Sequence, residues 1–168
     1  LALSIPFIYK PGTHFVYNNV GPYLAGILVQ RRSGCDLVSY LTPRLFSHLG
    51  IKRPTWETDP LGNSFGAGGL FLTLSEFHKF GELYLNNGKV NGKQVLSEKW
   101  IKESTTKSDV DYYGYLFWRG KYNSYRADGK YSQISMVLPE KNSVITVVAE
   151  CRRGDELMRV LYDMAAEL

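Results

Sequence analysis

Apolar positions recur at helical spacing through roughly the first two-thirds of the chain and crowd into β-branched and aromatic runs in the last third. Residues 1–11 are apolar with two prolines and read as an irregular entry. Asn19 stands where a helix cap would, and Leu24, Ile27 and Leu28 follow on one face. Arg31 and Arg32 suit the last turn of that helix, and Gly34 its stop. Asp36 caps a short helix carrying Leu37, Tyr40 and Leu41. Thr42-Pro43 restarts the helix, with Leu45, Phe46 and Leu49 inward and Gly50 at its end. Residues 52–69 read as a long irregular connection that ends in Gly66-Ala67-Gly68-Gly69.

Thr73-Leu74-Ser75-Glu76 is a capping box, which starts a helix with Phe77, Phe80, Leu83 and Tyr84 inward. Asn87-Gly88 closes it, and Asn91-Gly92 predicts a tight hairpin or turn over Lys89 to Gln94. Ser97 opens one more short helix, with Trp100 and Ile101. The character changes near Asp111. Tyr113 to Arg119, Ser132 to Leu138 and Val144 to Ala149 predict antiparallel strands, separated by turn-formers such as Pro139-Glu140-Lys141-Asn142. Gly154 to Leu168 predicts a closing helix that buries Leu157, Val160, Leu161 and Met164. The expectation is an α+β chain: a helical subdomain over 1–110, then strands and a helix over 111–168, together one partial domain.

At 168 residues with 44% apolar and 21% charged positions, the chain has globular composition. No apolar run is long enough to span a bilayer, and no basic-then-apolar leader opens the chain. The net charge of +4 comes from scattered Lys and Arg with acids between them, so no basic stripe points to nucleic acid. Cys35 and Cys151 lack metal spacing and read as free, partly buried thiols; the compartment stays open. His14, His48 and His78 share no ligand spacing, so neither a metal nor another cofactor is expected.

The candidate chemistry lies at Pro11-Gly12-Thr13-His14-Phe15-Val16-Tyr17-Asn18-Asn19. Tyr17 and Asn19 stand two residues apart where a loop becomes a helix. A phenol there can move a proton, and a carboxamide beside it can orient a substrate. Taken alone, the same residues also fit a helix cap and a packed tyrosine. Asp128 reads as bonding nearby backbone. Most of the aromatic residues between Tyr112 and Tyr131 read as strand packing, with one or two fit to wall a cleft.

Four segments, in order, resemble the serine β-lactamase and penicillin-binding-protein-like hydrolases, a family that includes class C β-lactamases, D-alanyl-D-alanine carboxypeptidases and esterases. Pro11-Gly12 with Tyr17-Asn18-Asn19 is similar to that family's Pro-Gly-x-x-x-x-Tyr-x-Asn signature. Leu45-Phe46 through Leu49-Gly50-Ile51, then Ala67-Gly68-Gly69-Leu70 with Thr73, Phe77, Phe80 and Gly81, match its next segments. Ala127-Asp128-Gly129 with Tyr131 and Gln133 occupies its third-motif strand, and Pro139-Glu140 the turn that follows. The resemblance implies a β-lactamase-like fold and acyl transfer through an acyl-enzyme, on a β-lactam, a D-Ala peptide or a carboxylic ester. It implies that Tyr17 shares proton traffic with a Ser-x-x-Lys pair, the phenol being lowered from its ordinary value of about 10 by the lysine's charge. It implies that Asn19 hydrogen-bonds that lysine and the substrate amide. Gly129, next to Asp128, would let the strand approach substrate, and the N–H of Lys130 would join the oxyanion hole.

Two departures follow. Ser-x-x-Lys is spelled once, at Ser104-Thr105-Thr106-Lys107, after Tyr17 and trailing a short helix, and it reads as a decoy. The third motif opens on Ala127 where the family has Lys or His, which weakens recognition of a substrate carboxylate and favours an esterase-like or unusual substrate. The expectation is therefore a portion of a longer hydrolase that is inactive alone, with a small-molecule or peptide substrate. The face left by the absent segment would be open to association. The alternative is a ligand-binding or interaction module that uses the same fold without catalysis.

Overall fold

Strand β7 (Gln133–Leu138) is covered on both faces, and the sheet is built around it. It lies between β6 (Tyr125–Gly129) and β8 (Ser143–Val148), with β5 (Trp118–Arg119) outside β6. All three pairings are antiparallel, with registers such as Tyr125↔Val137, Gly129↔Gln133 and Ser135↔Thr146. The computed structural model describes residues 2–168; residue 1, the start of the expected irregular entry, lies outside them. Alternation sorts the side chains of β7. Ile134, Met136 and Leu138 pack with Leu161 and Ala165 of helix α5 (Gly154–Glu167). Val137 joins Tyr84, Ile101, Phe117 and Tyr125 on the other face.

That second face receives α3 (Leu74–Leu85) and α4 (Glu98–Thr105). The Thr73 capping box forms as expected, and Ser97 accepts from the N–H of Trp100. Asn87, Asn91 and Gly92 take the positive φ values that close α3 and turn the β3 (Lys89–Val90) to β4 (Lys93–Gln94) hairpin. α3 approaches the sheet through Gly81: a Cβ there would stand 2.6 Å from Val144 Cγ1 and would overlap Ser135 Oγ.

Contacts divide the chain into two compact units, residues 1–47 with 51–71 and residues 48–50 with 72–168. In the first, α1 (Val20–Ser33) packs on the 57–69 loop, and α2 (Leu37–Leu41) runs on into a π-helical turn over Thr42–Phe46. Asp36 caps α2 by accepting from Ser39 N–H, and Gly34 ends α1 in the left-handed region, both as expected. Gln30 ties α1 to the loop: its amide donates to the carbonyls of Gly26 and Ser64 and accepts from Ser64 N–H. Gly66 lies against α1 so closely that a Cβ would meet Pro22 O at 2.9 Å and Gly26 Cα at 3.0 Å. Gly66→Ala is expected to cost about 1–3 kcal/mol by overpacking, read as a lower denaturation midpoint.

Several expectations are corrected. Leu28 is exposed, not packed; it stands roughly 200° around α1 from Gly26, where the loop docks. Val160 and Met164 are also exposed, because α5 seats the small Ala165 beside Leu161 and turns those two outward. The strand expected over Tyr113 to Arg119 shrinks to β5. Leu116 holds φ +65°, which breaks an extended run, and Tyr113 takes part in an isolated bridge to Trp118 outside the named strands. The 52–69 connection contains β1 (Thr55–Trp56), paired with β2 (Leu70–Phe71).

Candidate functional site

Tyr17 and Asn19 sit just before α1, in the first unit. Asn19 does not cap the helix with its side chain. The cap is Asn18, whose Oδ1 accepts from Gly21 N–H at 3.0 Å and whose Nδ2 donates to Val16 O at 3.1 Å. The expected cap thus moves by one residue, and the carboxamide of Asn19 is released from that duty. The Tyr17 ring is 52% exposed and so is not part of a dry core. Among the tyrosines of the core, burial raises Tyr84, and burial with the neighbouring Tyr84 pushes Tyr125 up to about 12. Neither suits proton transfer near neutrality.

Behind this turn, Tyr23 donates to Asp59 Oδ2 at 2.6 Å. Asp59 also accepts from the N–H groups of Leu61 and Asn63 and from the Asn63 amide. These bonds, the Tyr23 hydroxyl first, hold the Asp59 carboxyl down to about 2, and the same bond raises Tyr23. A lowered carboxyl contributes stability that is whole above its ordinary value of 3.8 and is lost as pH falls through about 2. Tyr23→Phe should therefore lower the melting temperature most above that ordinary value, and the gap to the parent chain should close towards the lower one. Melting curves across that window check it.

Asp128, Gly129 and Lys130 belong to the second unit. β5 pairs with β6 only at Tyr125 and Arg126, so among the described residues Ala127–Gly129 has a strand partner on the β7 side alone. Gly129 ends β6, where a Cβ would press on Gln133 Cβ at 3.1 Å. Asp128 accepts from Arg126 Nε at 2.9 Å, so its partner is a side chain two positions back and not the local backbone. Residues i and i+2 share a strand face, a signal present in the sequence. Lys130 lies in the following turn, with its ammonium 4.9 Å from the Tyr131 ring centre and Arg152 at 5.6 Å. Tyr131 and Ser132 both hold positive φ, and Cys151 N–H donates to Tyr131 O, which pins the turn.

The Ser-x-x-Lys at 104–107 is not a nucleophile pair. Ser104 is fully buried, and its hydroxyl donates to Ile101 O. Thr106 is extended, so Lys107 leaves the helix face and pairs with Asp111 at 2.9 Å. His78 bridges to Thr146 Oγ1 at 2.9 Å beneath α3. Cys35 and Cys151 are free and partly buried. Among the described residues no group of three His, Cys, Asp or Glu could hold a metal, and no helix is long and apolar enough to cross a membrane.

The beta-lactamase family model matches residues 2–167. The chain belongs to the beta-lactamase family. Solved structures share its fold. A putative 6-aminohexanoate-dimer hydrolase from Bacillus anthracis superposes with a TM-score of 0.88 at 22% identity, over 99% of this chain and 46% of that one. A penicillin-binding protein from Bacillus halodurans gives 0.73 at 21% identity, over 96% and 59%. Simvastatin synthase from Aspergillus terreus gives 0.69 at 17% identity, over 90% and 52%. This beta-lactamase-family chain thus spans about half the length of these structures. A search of curated proteins finds no match.

Proposed function

We propose that this chain is the Tyr-x-Asn and third-motif portion of a serine acyl hydrolase, acting through an acyl-enzyme on a carboxylic ester or amide. The observation that carries the reading is the arrangement before α1: Asn18 caps the helix, the Asn19 side chain makes no capping bond, and Tyr17 stands half exposed at the same junction. In this reading Tyr17 takes the proton of a serine hydroxyl and returns it to the leaving group. Asn19 orients the substrate carbonyl side. Gly129 keeps the one-sided edge of β6 open to substrate backbone, Asp128 holds Arg126 beside it, and the Lys130 N–H supports the oxyanion. Ala127 supplies no cation, which favours esters over substrates that carry a carboxylate.

The serine comes from a segment other than these residues, so the chain alone is inactive. Leu3, Phe7 and Ile8, each at least 80% exposed, support an association face in the first unit. The test adds a nitrophenyl ester or a β-lactam to the protein carrying its nucleophile segment, then measures intact mass. A transient acyl adduct is expected; turnover without any adduct, on a serine-blocked protein, would overturn the reading.

A further inference from the structure

A cleft of about 680 Å³ opens in the second unit between the end of α3, one face of α4 and the β5–β6 and β7–β8 turns. It is not the third-motif edge. Tyr125 lines it, and Gly129 stands at the other end of β6, about 13 Å away at the rise of a strand. Leu85, Ile101 and Pro139 supply apolar lining. Its rim is polar and, by the charged residues that line it, net positive. Glu98 is the one acid on the rim, and Lys89 already neutralises it at 2.8 Å. Lys102 makes no ion pair among the described residues. Arg119 donates to two uncharged acceptors, Thr105 O at 2.6 Å and Asn123 Oδ1 at 3.0 Å. A guanidinium has five N–H donors, so these two bonds leave it with further capacity. The nearby acid Asp111 is paired with Lys107 at 2.9 Å and also feels the charge of Arg119.

Three asparagines line the same cleft, Asn87, Asn123 and Asn142, each from a backbone position at φ near +50°. The left-handed turn explains why each is asparagine. It does not explain why three turns from separate elements converge on one cavity with two cations. We propose that this cleft binds a small oxyanion, a carboxylate or a phosphate group, with Lys102 and Arg119 supplying charge and the asparagine amides supplying neutral donors. Charge-assisted bonds to an oxyanion are the strongest this donor set can make.

The experiment is an amide NMR titration of the 168-residue chain with inorganic phosphate and, separately, succinate, at constant ionic strength. Millimolar binding is expected, with shifts gathered at Thr105, Thr106, Asn123 and Asn142. Lys102→Gln and Asn142→Gly should each weaken it by about tenfold, a change of ~1.4 kcal/mol. Glycine keeps the left-handed turn, so that variant should still fold. Lys99→Gln, on the same helix but paired with Glu103, should change nothing. Tighter phosphate assigns the cleft to a phosphorylated ligand, and tighter succinate to a carboxylate. Shifts absent at about 20 mM of either anion, or unchanged by Lys102→Gln, overturn the proposal.

Discussion

Tyr17→Phe is expected to lower kcat of the intact hydrolase by about 100–10,000-fold, the range a general acid–base group supplies. The ring stays, so packing and melting temperature should hardly change. The hydroxyl alone is lost, and with it the proton path between serine and leaving group. KM should move little, since the phenol is asked to act in the transition state. A mere packing role predicts the reverse: altered melting with kcat preserved. Ser104→Ala is the companion control. Its hydroxyl is buried and spent on Ile101 O, so turnover should survive its removal.

Met136→Ala should be the most damaging single truncation in the sheet. Met136 is wholly buried in the middle of β7, packed with Ile134, Leu138, Leu161 and Ala165. Cutting it to Ala removes transfer energy and leaves a cavity between sheet and α5, for about 2–5 kcal/mol. Urea denaturation followed by tryptophan fluorescence measures it. An effect under about 1 kcal/mol would mean that α5 collapses into the gap. Val160→Ala, on the outward side of the same helix, should cost much less.

What the sequence disclosed and what it hid divide along a physical line. The capping box at Thr73, the Asn91-Gly92 turn and the Gly34 stop are local chemistry, and each formed where the residues placed it. The cap before α1 was one residue off because adjacent asparagines carry the same signal and only geometry separates them. The outward faces of α1 and α5 were misjudged where a small residue, Gly26 or Ala165, set the contact in place of the larger side chains. β1 and β2 escaped notice because two residues carry no period. Tyr17 and Asn19 are singled out by their motif alone, and the structure adds their place just before α1. The Tyr23–Asp59 pair, 36 positions apart, and the asparagine-rimmed cleft were not, since both join distant stretches of chain.

Under the proposed function, Tyr17 serves a hydroxyl that none of the chain's own serines provides. Labelling with a serine-reactive fluorophosphonate, followed by peptide mapping, tests it most directly. No label is expected on the 168-residue chain, and a single label, outside these residues, on the protein carrying its nucleophile segment. A label on Ser104, or on any other serine within the chain, would contradict it.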